Sequence, residues 1–403
     1  MTATTALDNH PAGGVAGRGL LRTALVIGTG LIGTSVALAL LDAGVRVYLS
    51  DSDPGAARTA SALGAGSLDR PGTPVDLAVI AVPPAQVGAV LARAQADGVA
   101  RAYTDVASVK SLPLGDALRL DCDTARYVGG HPMAGRERSG PCAARADLFR
   151  GCSWVLTPDA RTTEETSALA HELVALCGAV PVTMTARAHD EAVALVSHAP
   201  HLLSSLMAAQ LPAAEGSVTG LAGQGLRDMV RIAGGDALLW SDILSANAPA
   251  VAEVLEGLLV DLSVTLRALR ALGSEDRRGD SLAQLNELLE RGRTGHRQVP
   301  AKPHTAPVVT VGLDVVVGDE PGTLGRLLAE VGAAGVNVED LQIEHDAQGT
   351  AGTVTLTVDE RSAQELALAL GRHGWCCALP GLELPDPEAF GYLARAERKR
   401  TSP

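Results

Sequence analysis

The stretch Gly129-Gly130-His131-Pro132-Met133-Ala134-Gly135-Arg136-Glu137-Arg138-Ser139-Gly140 puts one imidazole among glycines and a proline. Past the fourth strand of a nucleotide-binding sheet, such a loop lies where a cofactor's reactive end sits, and a proton acceptor is useful there. Upstream, Val26-Ile27-Gly28-Thr29-Gly30-Leu31-Ile32-Gly33-Thr34-Ser35 is a glycine loop between an apolar strand and an Ala/Leu-rich helix. Gly28 permits the tight turn, Gly30 lets backbone approach a pyrophosphate, and Gly33 lets the helix pack close on the strand. Leu31 and Ile32 open the helix, so their N–H groups join the candidate cofactor set.

Asp51 closes the next strand, Val45 to Ser50, about 20 residues on, where a carboxylate meets ribose hydroxyls. Asp51-Ser52-Asp53-Pro54 is equally a helix start, so an N-cap or Asx turn stays open for it. No arginine follows at once to receive a 2′-phosphate, which favours NAD over NADP.

These residues need a frame. Asp76 to Val82, Ala102 to Val106, Trp154 to Thr157 and Val180 to Thr183 read as further short strands separated by helices, which predicts a parallel, doubly wound α/β sheet over 21–186. From 187 to 292 the pattern is helical only. Val251, Val254, Leu255, Leu258, Leu262, Leu266 and Leu269 form an apolar stripe wider than one domain edge hides, which predicts a dimerisation and substrate domain and a homodimer. Residues 293–307, rich in Gly, Arg, His and Pro, predict a linker. The order strand, helix, strand, strand, helix, strand over 308–383 predicts a ferredoxin-like unit, and 384–403 a polar tail.

Composition bounds the function. The 403 residues carry a net charge of −13, which argues against a nucleic-acid partner. Apolar runs fall short of the roughly 18 residues that predict a membrane span. Residues 1–20 lack the apolar segment of a signal peptide and predict a disordered leader. Six cysteines without metal spacing predict a reduced, cytoplasmic protein with no metal site.

Five motifs in one order carry a more specific message: the glycine loop, Asp105-Val106-Ala107-Ser108-Val109-Lys110, His131-Pro132-Met133-Ala134-Gly135, Ser197-His198-Ala199-Pro200-His201, and Arg227-Asp228-Met229-Val230-Arg231-Ile232-Ala233. Over residues 22 to 290 the chain resembles the prephenate/arogenate dehydrogenases of tyrosine biosynthesis. Asp319-Glu320-Pro321-Gly322 and Gly335-Val336-Asn337-Val338 resemble an ACT regulatory domain, which binds amino acids between paired copies.

The resemblance implies oxidation of a cyclohexadienol by NAD with loss of CO2. It makes His131 the base for the 4-hydroxyl and Ser108 the group that orients it, although Ser108 also suits a helix N-cap. It gives Arg231 the substrate carboxylate, against a helix-surface ion pair with Asp228. His201 and His198 are implied at the substrate, with a metal pair or packing as alternatives, and Glu137 at the pocket mouth, with a solvated charge as alternative. Asp319, Pro321, Gly322 and Asn337 are the effector candidates, with an architectural role open. Trp240 suits a core or interface, and Lys110 a solvated helix position. Prephenate is the expected substrate, with arogenate or 4-amino-4-deoxyprephenate as alternatives. A β-hydroxyacid dehydrogenase would need a lysine in the helical segment, and 187–292 has none. A non-catalytic NAD sensor would not need His131, Ser108 and Arg231 together.

Overall fold

The computed structural model describes residues 19–134, 140–213, 216–273, 275–299, 309–345 and 351–379. The expected leader up to residue 18, Glu137 and the tail lie outside the described residues. The chain divides into two compact units between Gln284 and Leu285.

The first unit begins β1 (Thr23–Ile27), α1 (Leu31–Asp42), β2 (Arg46–Ser50), α2 (Pro54–Ala62), β3 (Val75–Ile80), α3 (Pro84–Ala96), β4 (Ala100–Asp105) and α4 (Ser111–Arg119). It continues β5 (Tyr127–Pro132), β6 (Ser153–Pro158), α5 (Glu164–Leu176) and β7 (Val180–Thr183). One sheet runs β2-β1-β3-β4-β5-β6-β7. Strand order reverses between β1 and β3, which opens a crevice at the carboxyl ends. Central strands are apolar on both faces because helices cover both. Val26, Leu77 and Val79 pack with Val36, Leu40 and Leu173, while Ala78, Ile80 and Tyr103 pack with Val87 and Leu91. Each such large side chain contributes about 1.5–3 kcal/mol on burial.

The expectation of a wholly parallel sheet is corrected: β5 and β6 pair antiparallel, with His131 opposite Val155. His131 is likewise not in a loop but near the end of β5. Its Gly-Gly-His-Pro sequence lacks strand character for a steric reason. A Cβ at Gly129 would sit 2.5 Å from Thr157 Oγ1, and one at Gly130 2.5 Å from the Asp105 carbonyl oxygen. Close packing of β5 among its neighbours demands the two glycines that disguise it.

Helices follow: α6 (Ala186–Val193), a π-helical turn (Ala194–His198), α7 (Ala199–Ala208), α8 (Gly216–Thr219), α9 (Gln224–Arg231), α10 (Ala237–Ala246), α11 (Ala248–Ala271) and α12 (Arg278–His296). The π turn joins α6 and α7 into a 28-residue helix, Ala186–Ala213, which contains an 18-residue stretch of mean hydropathy 1.3, the length and composition of a membrane span. The expectation concerned uninterrupted apolar runs and is not overturned, since Arg187, Asp190 and Glu191 break this helix. The helix buries His189, Asp190, His198 and His201 inside the protein. The predicted linker is also shortened, since α12 extends through residue 296.

The second unit contains β8 (Thr310–Gly318), α13 (Thr323–Ala333), β9 (Val338–His345), β10 (Ala351–Asp359), α14 (Glu360–Arg372) and β11 (Cys376–Ala378). Its antiparallel sheet runs β11-β8-β10-β9, the expected βαββαβ arrangement. Alternate residues Leu313, Val315 and Val317 point into a core with Leu327, Leu356, Leu370 and Trp375.

Candidate active site

The dinucleotide end is set by backbone. Gly28 has φ +102°, and a Cβ there would fall 2.2 Å from the Ala81 carbonyl oxygen. A Cβ on Gly33 would fall 1.9 Å from the Gly28 carbonyl oxygen, so helix and loop touch through bare backbone. Gly30 is the opposite case, with nothing within 4 Å of its missing Cβ. It is the N-cap of α1 with no side-chain cap, and the Leu31 and Ile32 N–H groups, in the first helical turn, have no acceptor within the helix. First-turn donors beside a glycine with room for a ligand suit a pyrophosphate.

Asp51 makes an Asx turn and also ties the glycine loop to the end of β2. Its Oδ1 accepts from Asp53 N at 2.8 Å, an Asx turn, and its Oδ2 from Thr29 N and Oγ1 at 2.5 and 2.8 Å. Asp53, not Asp51, caps α2. Burial opposes ionisation of Asp51, but the bonds from Asp53 and Thr29 outweigh it and hold its pKa below the ordinary carboxylate value. A fixed carboxylate at the end of β2 fits a ribose.

The end toward the chemistry is built from side chains. Nδ1 of His131 lies 2.8 Å from Nε2 of His189, whose Nδ1 lies 2.8 Å from Oδ1 of Asp190. Asp190 also accepts from the backbone N–H groups of Lys110 and Ser111, each at 2.8 Å, tying α6 to the start of α4. The Thr185 hydroxyl caps α6 through Ala188 N at 3.2 Å and so places this pair. Burial pushes His131 well below its ordinary pKa, with His189, Lys110 and His198 adding to the effect. The imidazole is neutral at pH 7, as a base must be.

Lys110 is corrected outright. It is fully buried and pairs closely with Asp105, while its Nζ donates to the Gly130 carbonyl at 2.5 Å. Tyr127 donates to the other Asp105 oxygen at 2.5 Å. Burial lowers the Lys110 pKa, opposed by Asp105. This cluster locks the ends of β4 and β5 together just before His131.

Ser108 is half-buried in the bend between β4 and α4. It does not cap the helix, because α4 begins at Ser111 with Lys110 at the N-cap position. The π turn brings His198 against Asn247, whose Nδ2 donates to the Asp190 carbonyl at 2.8 Å and contacts His198 Nδ1 at 3.1 Å. Burial lowers His198 to a pKa of about 4. His201 stacks on Trp240 at 3.6 Å and 8°, and its buried Nδ1 has no hydrogen-bond partner among the described residues. Trp240 thus packs both histidines, with His198 edge-on at 6.2 Å. Arg231 ends α9 with its side chain exposed, and α9 is fastened to α7 by Ser204 Oγ donating to the Met229 carbonyl at 2.6 Å. Asp228 accepts from Gln224 at 2.9 Å. The effector candidates sit in the second unit. Asp319 to Gly322 form the turn into α13, with Gly322 at φ +89°, and Asn337 precedes β9, donating to Glu339 at 2.8 Å.

Sequence reasoning therefore missed His189, Asp190, Asn247, Tyr127, and Asp105 with Lys110 as a pair. No local signal marks His189 and Asp190, since they lie between Arg187 and Glu191 on a helix that is polar in sequence.

Comparison with known proteins agrees with this arrangement. Residues 36–183 match the family model for the prephenate dehydrogenase nucleotide-binding domain, and 185–289 the prephenate dehydrogenase dimerization domain. A probable prephenate dehydrogenase, NovF, of Streptomyces niveus is 42% identical over 362 residues, 88% of this chain and 99% of its own. The Aquifex aeolicus prephenate dehydrogenase, solved with hydroxyphenyl propionate and NAD+, is 25% identical, with a TM-score of 0.58 over 68% of this chain and 98% of its own. The Synechocystis arogenate dehydrogenase structure is 25% identical, with a TM-score of 0.56 over 68% and 99%. With both domain models matched in succession and a relative aligned over nearly its whole length, this chain belongs to the prephenate dehydrogenase family.

Proposed function

We propose that the protein is an NAD-dependent prephenate dehydrogenase converting prephenate to 4-hydroxyphenylpyruvate and CO2. One observation carries this reading: a neutral, half-buried His131 and an open glycine cradle share the carboxyl edge of one sheet. NAD, when bound, supplies the acceptor for the hydride on C4 of the substrate. His131 takes the proton of the 4-hydroxyl as the C4 oxygen becomes a carbonyl. The ring carboxylate then leaves as CO2, its electron pair entering the ring to make it aromatic. Ser108, half-buried in the bend after β4, hydrogen-bonds the same hydroxyl and orients it.

Arg231 holds a substrate carboxylate, which a planar guanidinium can grip with two hydrogen bonds. The unpartnered His201 Nδ1 supports a substrate contact there, since a buried polar atom without a partner costs about 1–3 kcal/mol. His198 lines the same region, and Glu137, outside the described residues, is carried as the gating acid that the family resemblance implies. Exposed Leu259, Val260, Leu262 and Leu269 on α11 support a homodimer. The second unit serves as an ACT domain with Asp319, Pro321, Gly322 and Asn337 at an amino-acid site. The 25% identity to both a prephenate and an arogenate dehydrogenase supports keeping arogenate as the second substrate reading. Assay of the purified chain with each substrate, with NAD and with NADP, separates them: prephenate with NAD should give the highest kcat/KM, and turnover of arogenate alone would overturn the proposal.

A further inference from the structure

We propose that His189 and Asp190 are positioning residues that fix the tautomer of His131, keeping the lone pair on its Nε2 for the substrate. The inference rests on His131 being the base. It starts at Asp190, whose two oxygens receive the Lys110 and Ser111 backbone N–H groups. Burial opposes charge on Asp190, but its bonds with His189, Ser111 and Lys110 hold its pKa below the ordinary carboxylate value, so it is ionised and can only accept. His189 Nδ1, 2.8 Å away, therefore carries a proton.

A neutral His189 with that proton has only a lone pair at Nε2. The 2.8 Å contact to His131 then requires the proton on His131 Nδ1, which leaves His131 Nε2 as the basic atom. The reverse polarity would place an imidazolium at His189, whose side chain is 1% exposed, at a desolvation cost. When Nε2 takes the substrate proton, the resulting imidazolium is stabilised through His189 by the Asp190 carboxylate. The same carboxylate anchors the start of α4, just after Ser108, so base and hydroxyl are referenced to one point. The Asp190 carbonyl, held by Asn247, extends the frame to His198.

The test compares full-length His189→Leu, His189→Gln and Asp190→Asn with the unaltered chain, measuring NAD affinity, kcat, KM and the pH profile of kcat/KM. Leu and Gln have similar volumes, but the Gln carbonyl can accept from His131 Nδ1. His189→Leu should lower kcat roughly 10- to 100-fold with little change in NAD affinity, and His189→Gln should recover most of that loss. Equal rates in the two variants, or unaltered kcat in His189→Leu, would overturn the proposal. The ionisable groups facing His131 are His189 and Asp190 from α6, Lys110 and Asp105 from the β4 to α4 region, and His198 from the π turn. Removing the Asp190 charge should move the acid limb of kcat/KM to lower pH, because the imidazolium loses its counter-charge; a stationary limb contradicts the relay. If Asp190→Asn does not fold, the His189 pair decides, since it leaves the Lys110 and Ser111 anchors in place. Full turnover in His131→Asn would instead remove the underlying assignment of the base.

Discussion

The two ends of the site are held by different means. At the cofactor end, Gly28, Gly30 and Gly33 make a cradle from backbone, within one turn of the chain. At the end toward the chemistry, His131, His189, Asp190, Lys110 and Asp105 make a frame from side chains, with partners up to 80 positions apart in sequence. A backbone cradle depends on the absence of side chains and tolerates little added volume. A buried polar frame depends on every partner being present, because each group it loses leaves another unsatisfied.

That contrast can be broken most severely at Lys110. Lys110→Met strands Asp105 in the interior and should destabilise the fold by roughly 3–5 kcal/mol, read as a fall in the urea midpoint. Unaltered stability would show that Tyr127 and Ala107 satisfy Asp105 unaided.

A second effect follows from pH. His198 titrates near 4 in the folded chain and near 6.5 in the unfolded one, so the unfolded state takes up a proton first as pH falls. Its contribution is intact above about pH 6.5 and declines to about pH 4, by on the order of 3 kcal/mol in all, with His131 acting in the same direction. Chemical denaturation across that window should show stability falling with acid, and His198→Gln should flatten the slope.

The proposed clamp, Arg231, is more exposed and its effect smaller. A hydrogen bond to a charged group contributes about 1.5–3 kcal/mol, so Arg231→Ala should raise the substrate KM on the order of ten- to a hundredfold with NAD affinity unchanged. An unaltered KM would move the carboxylate contact elsewhere. The mildest change tests the cradle's rim: Asp51→Ser should narrow the preference for NAD by removing the charge opposed to a 2′-phosphate. An unaltered chain that already prefers NADP would contradict that role.

The same contrast explains what the sequence discloses. The glycine loop and Asp51 are legible because their geometry is local and their residue types are forced by it. The βαββαβ order of the second unit is legible too, since Leu313, Val315 and Val317 alternate cleanly. β5 was hidden because its close neighbours, Thr157 and the Asp105 carbonyl, leave room only for glycine. Lys110 looked like a solvated helix residue because nothing in its local sequence reveals that β5 will close over it. His189 and Asp190 became intelligible only when α6 was laid against α4 and β5, a long-range fact.

The central claim is that cradle and base are separable parts of one edge. His131→Asn tests it in a single preparation, by titrating NAD and then measuring turnover of prephenate at saturation. Binding should be unchanged while kcat falls by roughly 10² to 10⁴, the contribution of a general base. Turnover surviving within a factor of a few, or NAD affinity lost along with it, would contradict the account.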